Sequence, residues 1–195
     1  MSVAEILGFI TGAACVLLAV RENIWNWPVA IANNIFYFVV FWHSKLYADS
    51  ILQIFYVVIS IYGWWAWMRG GNQRTELPIT RISKTFTFGL VLATAAATAA
   101  LYLALSRFTD STVPLGDAVT TAISLTAQFM LGRKLIENWV WWIVADVIYI
   151  ALYNYKGLYL TAFLYAIFIV MCVAGYIRWQ RSLTHGPNLP ELAKG

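Results

Sequence analysis

The chain has 195 residues, 61% of them hydrophobic and 11% charged, with a formal net charge of +4. Soluble domains carry about 25% charged residues, and a domain this small buries only about two thirds of its surface, so water cannot accommodate this composition. That excludes an ordinary soluble enzyme with its own catalytic domain. The Lys and Arg residues fall singly or in pairs between apolar runs, with no basic stripe among exposed aromatics, which excludes a nucleic-acid partner.

The first apolar run, 3–20, ends at Arg21 and Glu22. It lacks a basic leader and a small-x-small cleavage site, so it reads as a retained span and not a signal peptide. The second run, 25–42, stops at His43–Ser44–Lys45, and the third, 47–68, at Met68–Arg69–Gly70–Gly71. A polar linker over 69–84, with Pro78 inside it, leads to an Ala/Thr-rich run at 85–106. Further runs follow at 115–132, 138–154 and 158–178, and then a polar tail at 180–195. A hydrocarbon core about 30 Å thick needs about 20 helical residues, and every run is near that length. Closed barrels are the other spanning solution, but they need short alternating strands that are absent from this pattern. The expectation is an all-α membrane protein of seven transmembrane helices, solvated by the lipid bilayer.

A duplication organises the spans. Shifting the chain by 112 residues aligns 21–67 on 133–179 without a gap, with 12 identities in 47 positions. Among the identical pairs are Arg21/Arg133, Asn26/Asn138, Trp27/Trp139, Tyr37/Tyr149, Gly63/Gly175 and Trp67/Trp179. Apolar composition alone does not place Trp, Tyr, Asn and Gly on one register. The expected layout is 3+1+3: a three-helix repeat over 3–68, a connecting helix over 85–106, and a second repeat over 115–179. Three helices and one more restore the starting side, so the repeats are parallel. Such repeats occur in secondary transporters, with the substrate at the repeat interface. A duplicated membrane scaffold without transport is the competing class.

Basic residues set the orientation. The side holding the N-terminus has three, Lys45, Arg107 and Lys156, while the other side has ten. The N-terminus is therefore expected outside, and the linker, the tail and the C-terminus in the cytoplasm. Trp64, Trp65, Trp67 and Trp179 sit near Arg69 and Arg178 and read as an interfacial belt there, with Tyr47 and Tyr159 on the outer side.

Polar residues inside spans face protein or a wet cavity. Asn33 and Asn34 lie in the middle of the second span, Gln53 early in the third, Gln128 in the fifth, and Asp146 in the sixth, where Tyr149 follows. For each amide, interhelical hydrogen bonding is the competing role. Asp146 falls opposite Asn34 in the repeat, and no Lys, Arg or His lies at comparable depth inside a span, so a cation or a proton is left to satisfy it. Trp139 and Trp142, three apart, share a helix face, and an amide-plus-aromatic pocket suits a planar polar ring. Cys15 and Cys172 lack metal-ligand spacing and read as small buried hydrophobes. His43 and His185 fall on opposite sides of the membrane, so no metal site is expected. With no Walker motif or hydrolase constellation either, neither a cofactor nor an enzymatic activity is implied.

Glu137–Asn138–Trp139 with Trp142, together with Leu46–Tyr47, Leu52–Gln53 and Tyr62–Gly63–Trp64–Trp65–Ala66–Trp67, resembles the bacterial nicotinamide riboside transporter family, the Pnu-type vitamin transporters. The resemblance covers essentially the whole chain. It implies a fold similar to the SWEET sugar transporters and facilitated uptake across the bacterial inner membrane. It also implies a cytoplasmic kinase that traps the product, and relatives that carry thiamine or riboflavin. By the family motif, Gln53, Asn138, Trp139 and Trp142 are carried over as substrate-site residues, beside Asn34 and Asp146, with Asn33, Gln128 and Tyr149 as further pocket candidates. The family motif has an asparagine where this chain has Asp146. An acidic group there suits cationic nicotinamide riboside or thiamine better than neutral riboflavin.

Overall fold

A computed structural model describes residues 3–43, 47–109, 113–155, 157 and 159–185. Lys45, Lys156, Lys194 and the side chains of Tyr47 and His185 lie outside what is described. The chain folds into seven α-helices: α1 (Val3–Val20), α2 (Asn26–His43), α3 (Tyr47–Arg69), α4 (Lys84–Phe108), α5 (Pro114–Gly132), α6 (Asn138–Tyr155) and α7 (Tyr159–His185). Among the described residues there is no strand, only an isolated parallel bridge between Thr80 and Leu135. Helix starts follow local chemistry. Pro114 opens α5, where its missing N–H has no cost. Ser83 caps α4 by accepting the Phe86 N–H at 3.3 Å.

Among the described residues, three stretches are long and apolar enough by themselves to cross a membrane: Ser50–Arg69, Lys84–Phe108 and Thr161–Thr184. The other α-helices have 18 or 19 residues. At 1.5 Å per residue they reach about 27 Å, close to the hydrocarbon thickness. Large apolar side chains are exposed on all seven helices, such as Leu17, Ile35, Phe55, Phe88, Leu115, Val147 and Val170. That outer surface is the one a bilayer covers. The α7 helix runs past the expected end of its span to His185, because Arg178 and Arg181 end an apolar segment but not a helix.

Packing follows the 112-residue offset. The α1 helix packs on α2 and α7, α5 packs on α6 and α3, and the pairs α2–α3 and α6–α7 are the most extensive. The α4 helix packs on α5. The α1–α2 and α5–α6 connections are built alike. Glu22 and Lys134 both have positive φ, at 55° and 48°. The N–H of Glu22 donates to Ala19 O and that of Lys134 to Leu131 O, both at 3.0 Å. The N–H of Asn26 donates to Asn23 O and that of Asn138 to Leu135 O, also both at 3.0 Å.

Above these loops lies a knot of four tryptophans. Trp27 meets Trp67 edge-on at 5.4 Å, Trp139 meets Trp179 edge-on at 5.3 Å, and Trp67 and Trp179 are 6.1 Å apart. Trp67 Nε1 donates to Leu131 O at 3.0 Å, and Trp179 Nε1 donates to Ala19 O at 3.2 Å. Each of these bonds ties a helix of one three-helix set to the other set. The belt reading of Trp67 and Trp179 is thereby corrected: both are buried, whereas Trp65 is exposed at the same end. Their spacing from Arg69 and Arg178 is interfacial, but their indoles turn inward because a carbonyl acceptor and two aromatic partners wait there for each. Room for the knot comes from Gly63 and Gly175. A Cβ at Gly175 would lie 2.7 Å from Trp139 Cε2, and one at Gly63 closer still to Trp27.

The 69–84 linker is not a loose connection. Its 3-10 turn spans Asn72–Arg74. Beyond it, the Thr80 N–H donates to Lys134 O and the Ile136 N–H donates to Thr80 O, both at 3.0 Å. The Ile82 N–H donates to Glu137 Oε2 at 3.1 Å, and Arg81 bridges Glu137 and Gln180. The linker therefore straps the α5–α6 connection at the knot end of the bundle.

Gly63→Ala and Gly175→Ala are each expected to destabilise the folded protein by about 1–3 kcal/mol through overpacking against an indole. Thermal unfolding in detergent measures this. Wild-type melting temperatures in both variants would contradict the packing described.

Candidate functional site

A cavity of about 450 Å³ lies between the two three-helix sets, directly against the knot. That is within the usual range for small-molecule sites. Trp139 belongs to both, so the knot is the cavity's floor. The walls come from α1, α2, α3, α5, α6 and α7.

Of the residues expected at a substrate site, Gln53, Gln128, Trp139, Trp142, Asp146 and Tyr149 line this cavity. Trp139, Trp142, Asp146 and Tyr149 share one face of α6, at the i, i+3, i+7, i+10 spacing. Asn33, Asn34 and Asn138 are not in the lining. Asn33 Oδ1 accepts the Thr11 hydroxyl at 3.0 Å and joins α1 to α2. Asn34 is half-buried on α2. Asn138 is fully buried beneath the floor, where its Nδ2 donates to Leu135 O at 2.7 Å.

Asp146 is 4% exposed. Its Oδ2 faces the Cys172 thiol at 4.0 Å, a weak donor. Among the described residues lining the cavity there is no Lys, Arg or His. Nothing basic in the lining pairs with the carboxyl group. The sequence reading of the two cysteines is corrected in one respect: both are cavity-lining, Cys172 buried and Cys15 half-buried. Among the described residues, no group of His, Cys, Asp and Glu could hold a metal ion.

Further lining residues had not been singled out. Tyr149, Tyr153 and Tyr165 form a ring cluster, with centroids 4.9 Å, 5.2 Å and 5.9 Å apart. Asn26, Tyr56 and Ser124 also line the cavity. The Asn26/Asn138 identity in the repeat was the available signal for Asn26. Tyr56 lies three residues after Gln53, on the same face of α3. Tyrosines in a span have interfacial and packing roles as well, so composition could not single these out.

The lining is paired at the 112-residue offset but unequal in chemistry. Gly12 corresponds to Ser124, Val16 to Gln128, Ala30 to Trp142 and Phe41 to Tyr153, and all eight line the cavity. In each pair the first residue is apolar, and the second adds a polar group or an indole. At Gln53/Tyr165 and Tyr56/Phe168, which also line the cavity, the first set supplies a polar group as well, so both sides carry recognition chemistry.

Known proteins share the overall fold and the family. A crystal structure of the vitamin B3 transporter PnuC matches with a TM-score of 0.71 at 24% identity, covering 91% of this chain and 80% of that one. The nicotinamide riboside transporter PnuC of Escherichia coli (strain K12) is 26% identical over 93% of this chain and 87% of its own length. The riboflavin/roseoflavin transporter RibM of Streptomyces davaonensis is 25% identical over 90% of this chain and 84% of its own. The model of the nicotinamide mononucleotide transporter family matches residues 2–181, and the chain belongs to that family.

Proposed function

We propose that the chain carries nicotinamide riboside into the cell across the bacterial inner membrane by facilitated diffusion. The names attached to its relatives leave three substrate chemistries open: a mononucleotide, a riboside and a flavin. One observation separates the first two. The described cavity lining holds an aspartate and no Lys, Arg or His. A phosphate adds about −1.5 to −2 charges at neutral pH and needs cationic or multiple N–H partners. An uncompensated carboxyl group repels it. A cationic pyridinium riboside instead gains the carboxylate and stacks on Trp142 or the tyrosines. Thiamine, also cationic, is the second reading of the same site, and neutral riboflavin gains least from Asp146.

The helices are read as seven spans in a 3+1+3 layout of parallel SWEET-like repeats, 3–68 and 115–179, with 85–106 between them. Support comes from the matched loops, the reciprocal tryptophan bonds and the corresponding helix contacts at the 112-residue offset. The basic-residue count supports an outside N-terminus and a cytoplasmic C-terminus, which puts the tryptophan floor on the cytoplasmic side. The cavity then faces away from the floor, and rocking of the repeats about it gives alternating access. Substrate binding is assigned to Gln53, Trp139, Trp142 and Asp146, with Gln128 and Tyr149 around them. Asn34 and Asn138 support the site from outside the lining. A cytoplasmic kinase would trap the product.

Proteoliposomes test this reading. Nicotinamide riboside is expected to enter saturably and equilibrate, and to accumulate only when a riboside kinase and ATP are enclosed. Nicotinamide mononucleotide is expected not to enter. Entry of the mononucleotide alone would reverse the substrate assignment, and inactivity toward riboside, thiamine and riboflavin would remove the vitamin-carrier reading altogether.

Asp146→Asn restores the family's residue and removes the charge. Binding of nicotinamide riboside to the purified variant is expected to weaken roughly tenfold, the scale of one lost charge-assisted contact, with riboflavin affinity unaltered. An unchanged riboside affinity would reject a role for the carboxylate.

A further inference from the structure

We propose that Asn26 and Trp139 form a hydrogen-bonding subsite on the cavity floor that receives a neutral oxygen acceptor of the substrate, a hydroxyl or a carbonyl. This rests on the reading of the cavity as a substrate site. Asn26 is 3% exposed and Trp139 is 2% exposed, and both line the cavity. Asn26 Nδ2 and Trp139 Nε1 are buried with no hydrogen-bond partner.

Unpaired buried donors need an explanation, because each costs about 1–3 kcal/mol. For Asn26, the correspondence between the two halves shows that the unpaired donor is not forced by the fold. Asn138 occupies the place equivalent to Asn26, and its Nδ2 is satisfied by Leu135 O at 2.7 Å. The loop around Asn26 has the same backbone bonds. Asn26 could anchor its amide in the same way, yet its Nδ2 has no partner and the residue borders the cavity. The four indoles are not all satisfied. Trp67 and Trp179 give their N–H groups to carbonyls, while Trp139 retains its own at the cavity wall. Trp27 Nε1, at the position equivalent to Trp139, is also unpartnered, so what distinguishes Trp139 is its place in the cavity lining.

Two unpaired N–H donors lining one cavity recognise oxygen lone pairs, not another N–H and not a cation. The terminal torsion of Asn is soft, so turning the carboxamide brings Nδ2 to a ligand on the floor. Asp146 is seven residues along α6 from Trp139, roughly 10 Å at the helical rise. The site thus places an anionic group at one level and a neutral donor pair at another. The matching ligand is a small cation with a hydroxyl or carboxamide oxygen about one ring system away, which is the chemistry of a pyridinium glycoside.

The test compares Asn26→Leu, which keeps shape and removes the donor, with Asn138→Leu. For wild type and both variants, thermal stability in detergent is measured without ligand. Binding of nicotinamide riboside, thiamine and riboflavin is measured by calorimetry. Asn26→Leu is expected to melt at or above the wild-type temperature, because its donor satisfies nothing in the empty protein, and to bind the riboside roughly tenfold more weakly. Asn138→Leu is expected to melt lower. A fall in melting temperature for Asn26→Leu equal to that of Asn138→Leu would make Asn26 structural and overturn the subsite. So would a riboside affinity within twofold of wild type. If wild type binds none of the three ligands, the functional reading fails, and the subsite is then judged on the melting temperatures alone.

Discussion

Everything in this molecule hangs on the reciprocal pair of indole bonds, Trp67 to Leu131 O and Trp179 to Ala19 O. Lipid offers no hydrophobic drive to hold helices together, so interhelical hydrogen bonds and close packing must do so. These two bonds, each from one three-helix set to the other, are placed where both kinds of contact coincide. Gly63 and Gly175 let the partner indoles approach, and the four rings meet edge-on or tilted. Lys134 adds a charge over the Trp67 ring at 4.7 Å and reaches Glu22 at 3.5 Å. Glu22 and Lys134 are themselves at equivalent positions, so one of the few changes between the two loops is the one that turns a like pair into an opposite one.

The knot closes one end of the space between the halves, and the cavity is what remains above it. In the proposed repeat layout, two identical halves would carry the same side chains in that space twice. A vitamin precursor has no two-fold axis and could not use both. The two walls differ at corresponding positions: Gly12, Val16 and Ala30 stand where the other wall has Ser124, Gln128 and Trp142, while Asn26, Gln53 and Tyr56 supply polar groups from the first wall. Asp146 opposite Asn34 follows the same trend. One carboxyl group suffices to attract a monocation, whereas a second would leave a buried charge without a partner.

Much of this was legible in the sequence. The helix ends came from Arg, Lys, Gly and Pro punctuation and lie within a few residues of the observed ones, except at α7, where charge was taken as an end. The offset of 112 residues brought out the Trp27/Trp139 and Gly63/Gly175 pairs before any contact was known. The direction in which a side chain turns was not legible. Trp67 and Trp179 sit at headgroup depth by spacing and still point inward, because an acceptor carbonyl lies on another helix. Asn26 and Asn138 are the same residue in the same loop, and only the three-dimensional arrangement shows that one borders the cavity and the other does not. The family motif pointed to Asn138 for the same reason: a residue that fixes the floor is as regular in sequence as one that touches a ligand.

For the proposed transport cycle, the floor must open with no energy source beyond the substrate gradient. That limits how strong it can be. Among the described residues, the polar ties across it include two neutral N–H···O bonds, one 3.5 Å ion pair, the Ser182 hydroxyl on Glu22 at 3.1 Å and the Lys134 charge over the Trp67 ring. Each contributes on the order of 1 kcal/mol net, so this polar part of the closure amounts to a few kcal/mol, within the range a bound ligand can shift. A subsite on the floor itself is the economical way to supply that shift. A ligand that bonds to Asn26 and Trp139 contacts the very element that must move, and it changes the balance between closed and open floors. A ligand held only by Asp146 and the upper tyrosines would bind tightly and still leave that balance untouched.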